Sequence, residues 1–218
     1  MMKQPVFITG IGTGVGKTVV SAIIANALQA DYWKPVQAGF EEGTDSEWVK
    51  SVLSPEHCAV HRETYKLKLP ASPHIAARQE GVRIHLEKIL DAYKHIRENL
   101  SGDRKNLVIE GAGGLMVPLN ENDFVADLVK KLSAKLIIVS RNYLGSINHS
   151  LLTAAVCRKY NIDVMGWIFN DQFMHYEEEI VEWSGYPKIG SIPFCEKPDK
   201  DFITQQGKLL HSSLKNLL

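Results

Sequence analysis

Three cysteines among 218 residues, Cys58, Cys157 and Cys195, are too scattered and too odd in number for a disulfide framework. The chain must therefore hold together by its core, and at this length about 70% of the unfolded surface is buried on folding. No apolar run reaches the roughly 18 residues that signal a membrane span. The apolar stretch from Pro5 breaks into glycines too soon to be a secretory leader, so a reducing, cytoplasmic setting is expected and no membrane partner. An excess of one charge is absent as well. The 25 basic and 25 acidic side chains cancel, leaving no bulk field to draw the protein to nucleic acid. Repeats and low-complexity tracts are missing too. Hydrophobic residues at 44% and charged residues at 23% complete the composition of an ordinary globular protein.

What is present is an alternation of short apolar runs with longer helical patterns. Strands are expected at residues 5–9, 31–34, 107–110, 136–139, 165–169 and 188–192. Their near-continuous apolar character suits strands covered on both faces. Helices are expected at 17–28, 46–52, 84–100, 124–132, 147–160 and 175–183. This order predicts an α/β fold, a mainly parallel sheet with helices on both faces. The turn Ser101-Gly102-Asp103 is the one linker candidate, but core-type strands continue beyond it, so residues 1–218 are read as a single domain. In such sheets ligands bind beyond the carboxyl ends of the strands.

The sharpest local signal is Thr9-Gly10-Ile11-Gly12-Thr13-Gly14-Val15-Gly16-Lys17-Thr18, after the first strand and opening the first helix. Glycines let backbone N–H groups turn towards phosphate oxygens, and the helix N-terminus adds a favourable dipole. Lys17 is placed for β- and γ-phosphates and Thr18 for Mg²⁺. The usual P-loop spacing is missed by one residue, because Ile11 stands where its first glycine belongs. A dinucleotide fingerprint fits less well, since it has no use for the Lys-Thr pair. Mg²⁺ also needs one or two carboxylates. Glu110 ends an apolar strand before Gly111-Ala112-Gly113-Gly114 and should project at the ligand edge. Asp45 is either a second ligand or a plain helix N-cap. Lys34, after the second strand, either stabilises charge in phosphoryl transfer or is an ordinary solvated lysine.

Together these elements resemble the dethiobiotin synthetases. The matching segments are residues 9–18, 34–39, 43–45, 71–77, 110–114, 144–149, 166–170 and 190–193, in family order and at family-like spacing. The resemblance implies a P-loop NTPase fold and an ATP- and Mg²⁺-dependent ligase that closes a cyclic urea on 7,8-diaminononanoate with CO₂ or bicarbonate. It implies that Lys17 and Lys34 flank the reacting groups with Thr13 nearby, and that Thr18, Asp45 and Glu110 hold Mg²⁺. Nucleotide contacts are implied for Gly14, Val15, Gly16 and Val19, for Gly111, Ala112 and Gly113, for Asn170 and Asp171 on the base side, and for Pro193, Phe194 and Cys195. The family is homodimeric with its site at the interface. Ala38 would then border the substrate, and Ser146, Ile147 and Asn148 of a neighbouring subunit would receive the substrate carboxylate.

Two positions depart from the family pattern: Gly14 replaces a glutamate of some members, and Ala38 replaces serine or threonine. Residues 196–218 have no clear counterpart, which leaves base selectivity open. A competing reading is a nucleotide-gated switch ATPase that binds a macromolecular partner. Those proteins carry a lysine five residues before the loop lysine, where this chain has Gly12. His57, Cys58 and His61 lack a second ligand pair and read as structural. His74 and the four tryptophans are read as structural or packing residues.

Overall fold

The computed structural model describes residues 4–100, 106–171, 173–215 and 217. The linker candidate at 101–103 lies outside them. The first strand, β1 (Val6–Gly10), is buried along its whole length and leads through the glycine loop into α1 (Lys17–Leu28), the span the apolar pattern predicts. Then come β2 (Asp31–Trp33), β3 (Val36–Ala38), α2 (Asp45–Val52), β4 (Val60–His61), β5 (Tyr65–Leu67), α3 (Pro73–Gln79) and α4 (Leu86–Asn99). The second half contains β6 (Leu107–Glu110), α5 (Val125–Lys131), β7 (Lys135–Arg141), α6 (Ser146–Tyr160), β8 (Val164–Asn170), α7 (Glu177–Ser184), β9 (Lys188–Ile192) and α8 (Lys200–Lys215).

Seven strands form one parallel sheet in the order β4-β2-β6-β1-β7-β8-β9, and β3 pairs with β5 in a small second sheet. Consecutive residues of β1, β6 and β7 are buried alike, as both faces being covered requires. Helices α1, α2 and α8 touch one another in one layer, and α5, α6 and α7 form another. Among the described residues no helix is long and apolar enough to cross a membrane. From β1 the chain runs to β2 on one side, while β7, β8 and β9 extend the sheet on the other. The crevice of the fold therefore opens at the carboxyl ends of β6, β1 and β7.

Beyond the expected elements there are β3, β4, β5, α3 and α8. The three strands have only two or three residues, too few to show a period. In α8, Ile203, Gly207, Leu210 and Leu214 recur at helical spacing and are buried. Gly207 lets α8 approach α1 closely, since a Cβ there would lie 2.6 Å from Asn26 Oδ1. The expected helix at 175–183 begins later: His175 belongs to a 3₁₀ turn with positive φ, and the α-helix starts at Glu177.

Candidate functional site

The loop between β1 and α1 is held on both flanks. Gly10 N–H donates to Gly113 and Ile11 N–H to the Val139 carbonyl. Gly16 caps α1 with φ +88°, a left-handed conformation that favours glycine. A Cβ on Gly16 would lie 1.7 Å from Asn170 Nδ2, which donates to the Val15 carbonyl at 3.0 Å. The end of β8 is thereby tied to the loop. Lys17, at the first position of α1, is only 7% exposed and donates to the Gly12 carbonyl at 2.8 Å. Burial pushes its ammonium down to about 8, against the partial opposing pull of Glu110.

One residue on, the Thr18 hydroxyl stands 3.0 Å from Asp45 Oδ1 and 3.0 Å from Glu110 Oε1. A hydroxyl has one proton, so it can fully satisfy only one of them. The Lys34 ammonium joins the same two carboxylates: it shares Glu110 Oε1 with Thr18, at 2.9 Å, and is bonded to the other oxygen of Asp45, Oδ2. At 6% exposure Lys34 is buried, which removes the solvated-lysine alternative. Burial pushes its pKa down, but Glu110 and Asp45 more than offset this, and the ammonium ends above the ordinary lysine range. Asp45 is likewise released from the N-cap alternative. Thr44 caps α2 in a capping box with Glu47, Thr44 Oγ1 accepting from the Glu47 N–H and Glu47 returning a bond to Thr44 N–H. Asp45, at the first helical position, is free to face Thr18 and Lys34.

Two carboxylates and a hydroxyl converging on one cation form a hard-oxygen donor set that fits Mg²⁺, which takes its remaining ligands from phosphate and water. Among the described residues no group of three or more His, Cys, Asp or Glu side chains converges as a metal site, and a Mg²⁺–nucleotide site does not need one. Behind the carboxylates, Tyr32, fully buried, donates its phenol to Glu110 Oε2 at 2.8 Å. Desolvation and the Glu110 charge raise the phenol pKa well above its usual value.

A cavity of about 770 Å³ opens over this cluster, with Thr13, Lys17, Thr18, Lys34, Ala38 and Glu110 among its walls. Ala112 and Gly113 also reach it. Gly111 does not: it is packed beneath, where a Cβ would meet the Phe7 ring at 2.7 Å. A second cavity of about 260 Å³ holds Val15, Asn170, Asp171, Pro193, Phe194 and Cys195. Gly14, Gly16 and Val19 border both, so the loop and the start of α1 form their common wall. In the second cavity Arg141 pairs with Asp171 at 3.4 Å.

Ser146, Ile147 and Asn148 border neither cavity. Ser146 is buried, its hydroxyl 2.6 Å from Tyr176 Oη, while Asn148 is exposed at the start of α6. Sequence reasoning missed Tyr32, Arg141 and Gln37, which lines the larger cavity and whose Oε1 accepts from the Asp45 N–H at 3.4 Å. Only Tyr32 carried a signal, since it lies two residues before Lys34 and so on the same strand face. The residues read as structural have local partners: Cys58 is buried with Sγ 3.4 Å from the Ala25 carbonyl, His61 bonds Asp31 at 2.9 Å, and His74 bonds Ser72 at 3.0 Å. Trp33 and Trp167 are fully buried and Trp48 packs against the core, whereas Trp183 is 55% exposed and is not a core residue.

Residues 4–200 match the family model described as an AAA domain. The chain is similar to the ATP-dependent dethiobiotin synthetase BioD of Cytophaga hutchinsonii, with 48% identity over 199 residues, covering 91% of this chain and 92% of that one. The protein of the same name from Christiangramia forsetii is 45% identical over 188 residues, covering 86% of each chain. Among solved structures, the MinC:MinD cell division protein complex of Aquifex aeolicus matches with a TM-score of 0.61 and 16% identity, covering 99% of this chain and 96% of that one. A plasmid partition protein from Borrelia burgdorferi matches at 0.59 and 15% identity, covering 99% of each. At such identities the structural likeness shows the fold alone.

Proposed function

The chain belongs to the ATP-dependent dethiobiotin synthetases, and on that premise we propose which of its residues carry each part of the reaction. The enzyme forms dethiobiotin from 7,8-diaminononanoate, CO₂ and ATP. One substrate amine adds to CO₂ to give a carbamate, whose oxygen attacks the γ-phosphorus of ATP and releases ADP. The second amine then attacks the resulting carbamic–phosphoric anhydride, closing the urea ring and expelling phosphate. The protein's part is to hold the reactants in line and to neutralise the charge on the transferring phosphoryl group.

The glycine loop and the start of α1 cradle the triphosphate. Lys17 spends one N–H on Gly12, leaving two for phosphate oxygens. Lys34 faces the carbamate and the γ-phosphate from the opposite wall, with Thr13 beside it. Thr18, Asp45 and Glu110 hold Mg²⁺, which when bound supplies charge to draw electron density from the phosphate oxygens. The base enters the smaller cavity beside Asn170, Asp171 and residues 193–195. The observation that carries this reading is the convergence of Thr18, Asp45, Glu110 and Lys34 on one point of the larger cavity.

We further infer a homodimer in which α6 of each protomer serves its partner's cavity. Leu144, 98% exposed, leads into that helix. With the Ser146 N–H donated to the Tyr143 carbonyl and its hydroxyl engaged, the N–H groups of Ile147 and Asn148, which no described residue uses, are left for the substrate carboxylate.

The test is phosphate release from Mg-ATP with bicarbonate, with and without 7,8-diaminononanoate, the product being identified by mass. Strong diamine dependence and a cyclic urea are expected. Diamine-independent hydrolysis would refute the proposed assignments and favour the switch-ATPase reading.

A further inference from the structure

The two carboxylate oxygens of Glu110 are treated differently. Oε1 faces Thr18 and Lys34 at 3.0 and 2.9 Å, whereas Oε2 accepts only the Tyr32 phenol among the hydrogen bonds of the described residues, at 2.8 Å. The sheet register explains how the phenol arrives there. Tyr32 pairs with Val108 in the neighbouring parallel strand, so the two side chains share a face. Alternation places Lys34 and Glu110, each two residues further on, on that same face. The tyrosine ring therefore reaches diagonally along the sheet, beneath the lysine and onto the back of the carboxylate. Both residues are buried, Tyr32 completely and Glu110 to within 1%, so the arrangement is shielded from competing water.

We propose that Tyr32 is a positioning residue that reserves one oxygen of Glu110, so that the carboxylate offers a metal a single oxygen and the site favours Mg²⁺ over Ca²⁺. The inference rests on the reading of Glu110 as a metal ligand. Its physical basis is the difference between the two cations. Mg²⁺ is small, demands near-ideal octahedral geometry and keeps several waters, which one-oxygen carboxylates allow. Ca²⁺ takes six to eight oxygens and accepts carboxylates through both. A phenol donating to Oε2 prevents the carboxylate from rotating to present its second oxygen. It also fixes the direction of Oε1, as partners behind metal ligands do elsewhere, at a cost of about 10- to 100-fold in metal affinity when they are removed.

The experiment is Mn²⁺ binding to the full chain in the presence of ADP, followed by electron paramagnetic resonance, with Mg²⁺ and Ca²⁺ as competitors. Tyr32→Phe removes the donor and little else. It should weaken Mg²⁺ competition about tenfold or more and lower the ratio of Mg²⁺ to Ca²⁺ affinity, while ADP binding without metal stays within about twofold. A merely structural role would weaken both metals alike. An unchanged ratio overturns the proposal. Should Tyr32→Phe fold poorly, p-fluorophenylalanine at position 32 keeps the ring's length without the donor and is read in the same way. Glu110→Gln separates the two layers of the inference. If it leaves Mn²⁺ binding intact, the ligand assignment itself fails and Tyr32 with it. If it abolishes Mn²⁺ binding while Tyr32→Phe preserves the ratio, only the role of Tyr32 fails.

Discussion

Replacing Lys34 by methionine would leave two carboxylates facing one hydroxyl with no cation between them. Asp45 and Glu110 each approach the Thr18 hydroxyl to 3.0 Å, so their near oxygens lie no further apart than twice that distance. At that separation and an effective dielectric constant of 20, two unit charges repel by about 3 kcal/mol. Removing one partner of a buried ion pair has a measured cost of about 3–5 kcal/mol, which agrees. For a chain of this size that corresponds to a loss of roughly 6–20 °C in Tm, at about 2–4 °C per kcal/mol. The assay is calorimetric melting of both proteins in EDTA and in millimolar Mg²⁺. Lys34→Met should be much less stable than wild type in EDTA, and Mg²⁺ should recover more stability in the variant, because a divalent ion takes over the work of the ammonium. In the wild type the raised pKa of Lys34 has a different signature: its stabilisation is complete below the unfolded pKa and disappears as pH rises through the still higher folded value. A loss under about 1 kcal/mol, or one that Mg²⁺ leaves untouched, would mean that Lys34 is not the counter-ion of this pair.

Lys17 behaves in the opposite sense. Its folded pKa, held down to about 8 by burial, makes the buried ammonium a cost at neutral pH, so stability should rise with pH from about 8 towards the unfolded value of 10.5. Metal-free ATP affinity should fall over the same window, by up to about tenfold per pH unit, because phosphate needs the charged form. Fluorescent-nucleotide titrations check this, and a flat profile through pH 9 in wild type, or an unchanged slope in Lys17→Met, would sink it. Gly16→Ala should cost about 1–2 kcal/mol for its left-handed backbone and about 1 kcal/mol more for displacing the Asn170 amide from Val15. Adding Asn170→Ala should recover none of the backbone strain but should make the pair sub-additive in urea melts, and strict additivity would show that the two residues are not coupled.

Much of this site was legible because its chemistry sits where the backbone pattern breaks. The apolar run of β1, its glycines and the Lys-Thr pair at the head of α1 announce themselves locally, and Glu110 stands out as a charge ending an apolar strand. Asp45 was ambiguous because Thr44, Asp45 and Ser46 can all cap a helix. The decisive signal was Glu47, three residues after Thr44, which completes a capping box and assigns the cap elsewhere. The burial of Lys34 was not legible. A lysine after a short strand looks solvated until the register of β2 on β6 brings Glu110 beneath it. The N-terminus of α6 was named only through the family resemblance, and within one chain Ser146, Ile147 and Asn148 border neither cavity.

The loop that divides the larger cavity from the smaller acts as a bulkhead. Among the described residues, Gly14 and Gly16 of the loop and Val19 of α1 are the ones shared by both compartments, while Lys34, Asp45 and Glu110 stand on one side and Phe194 and Cys195 on the other. In the proposed binding mode the reacting end and the base end of the nucleotide are insulated from each other. On the proposed assignment of the smaller cavity to the base, replacements around Phe194 should retune which nucleobase is admitted while Lys34, Asp45 and Glu110 keep their arrangement, so energy source and product would be separately adjustable in the same protein.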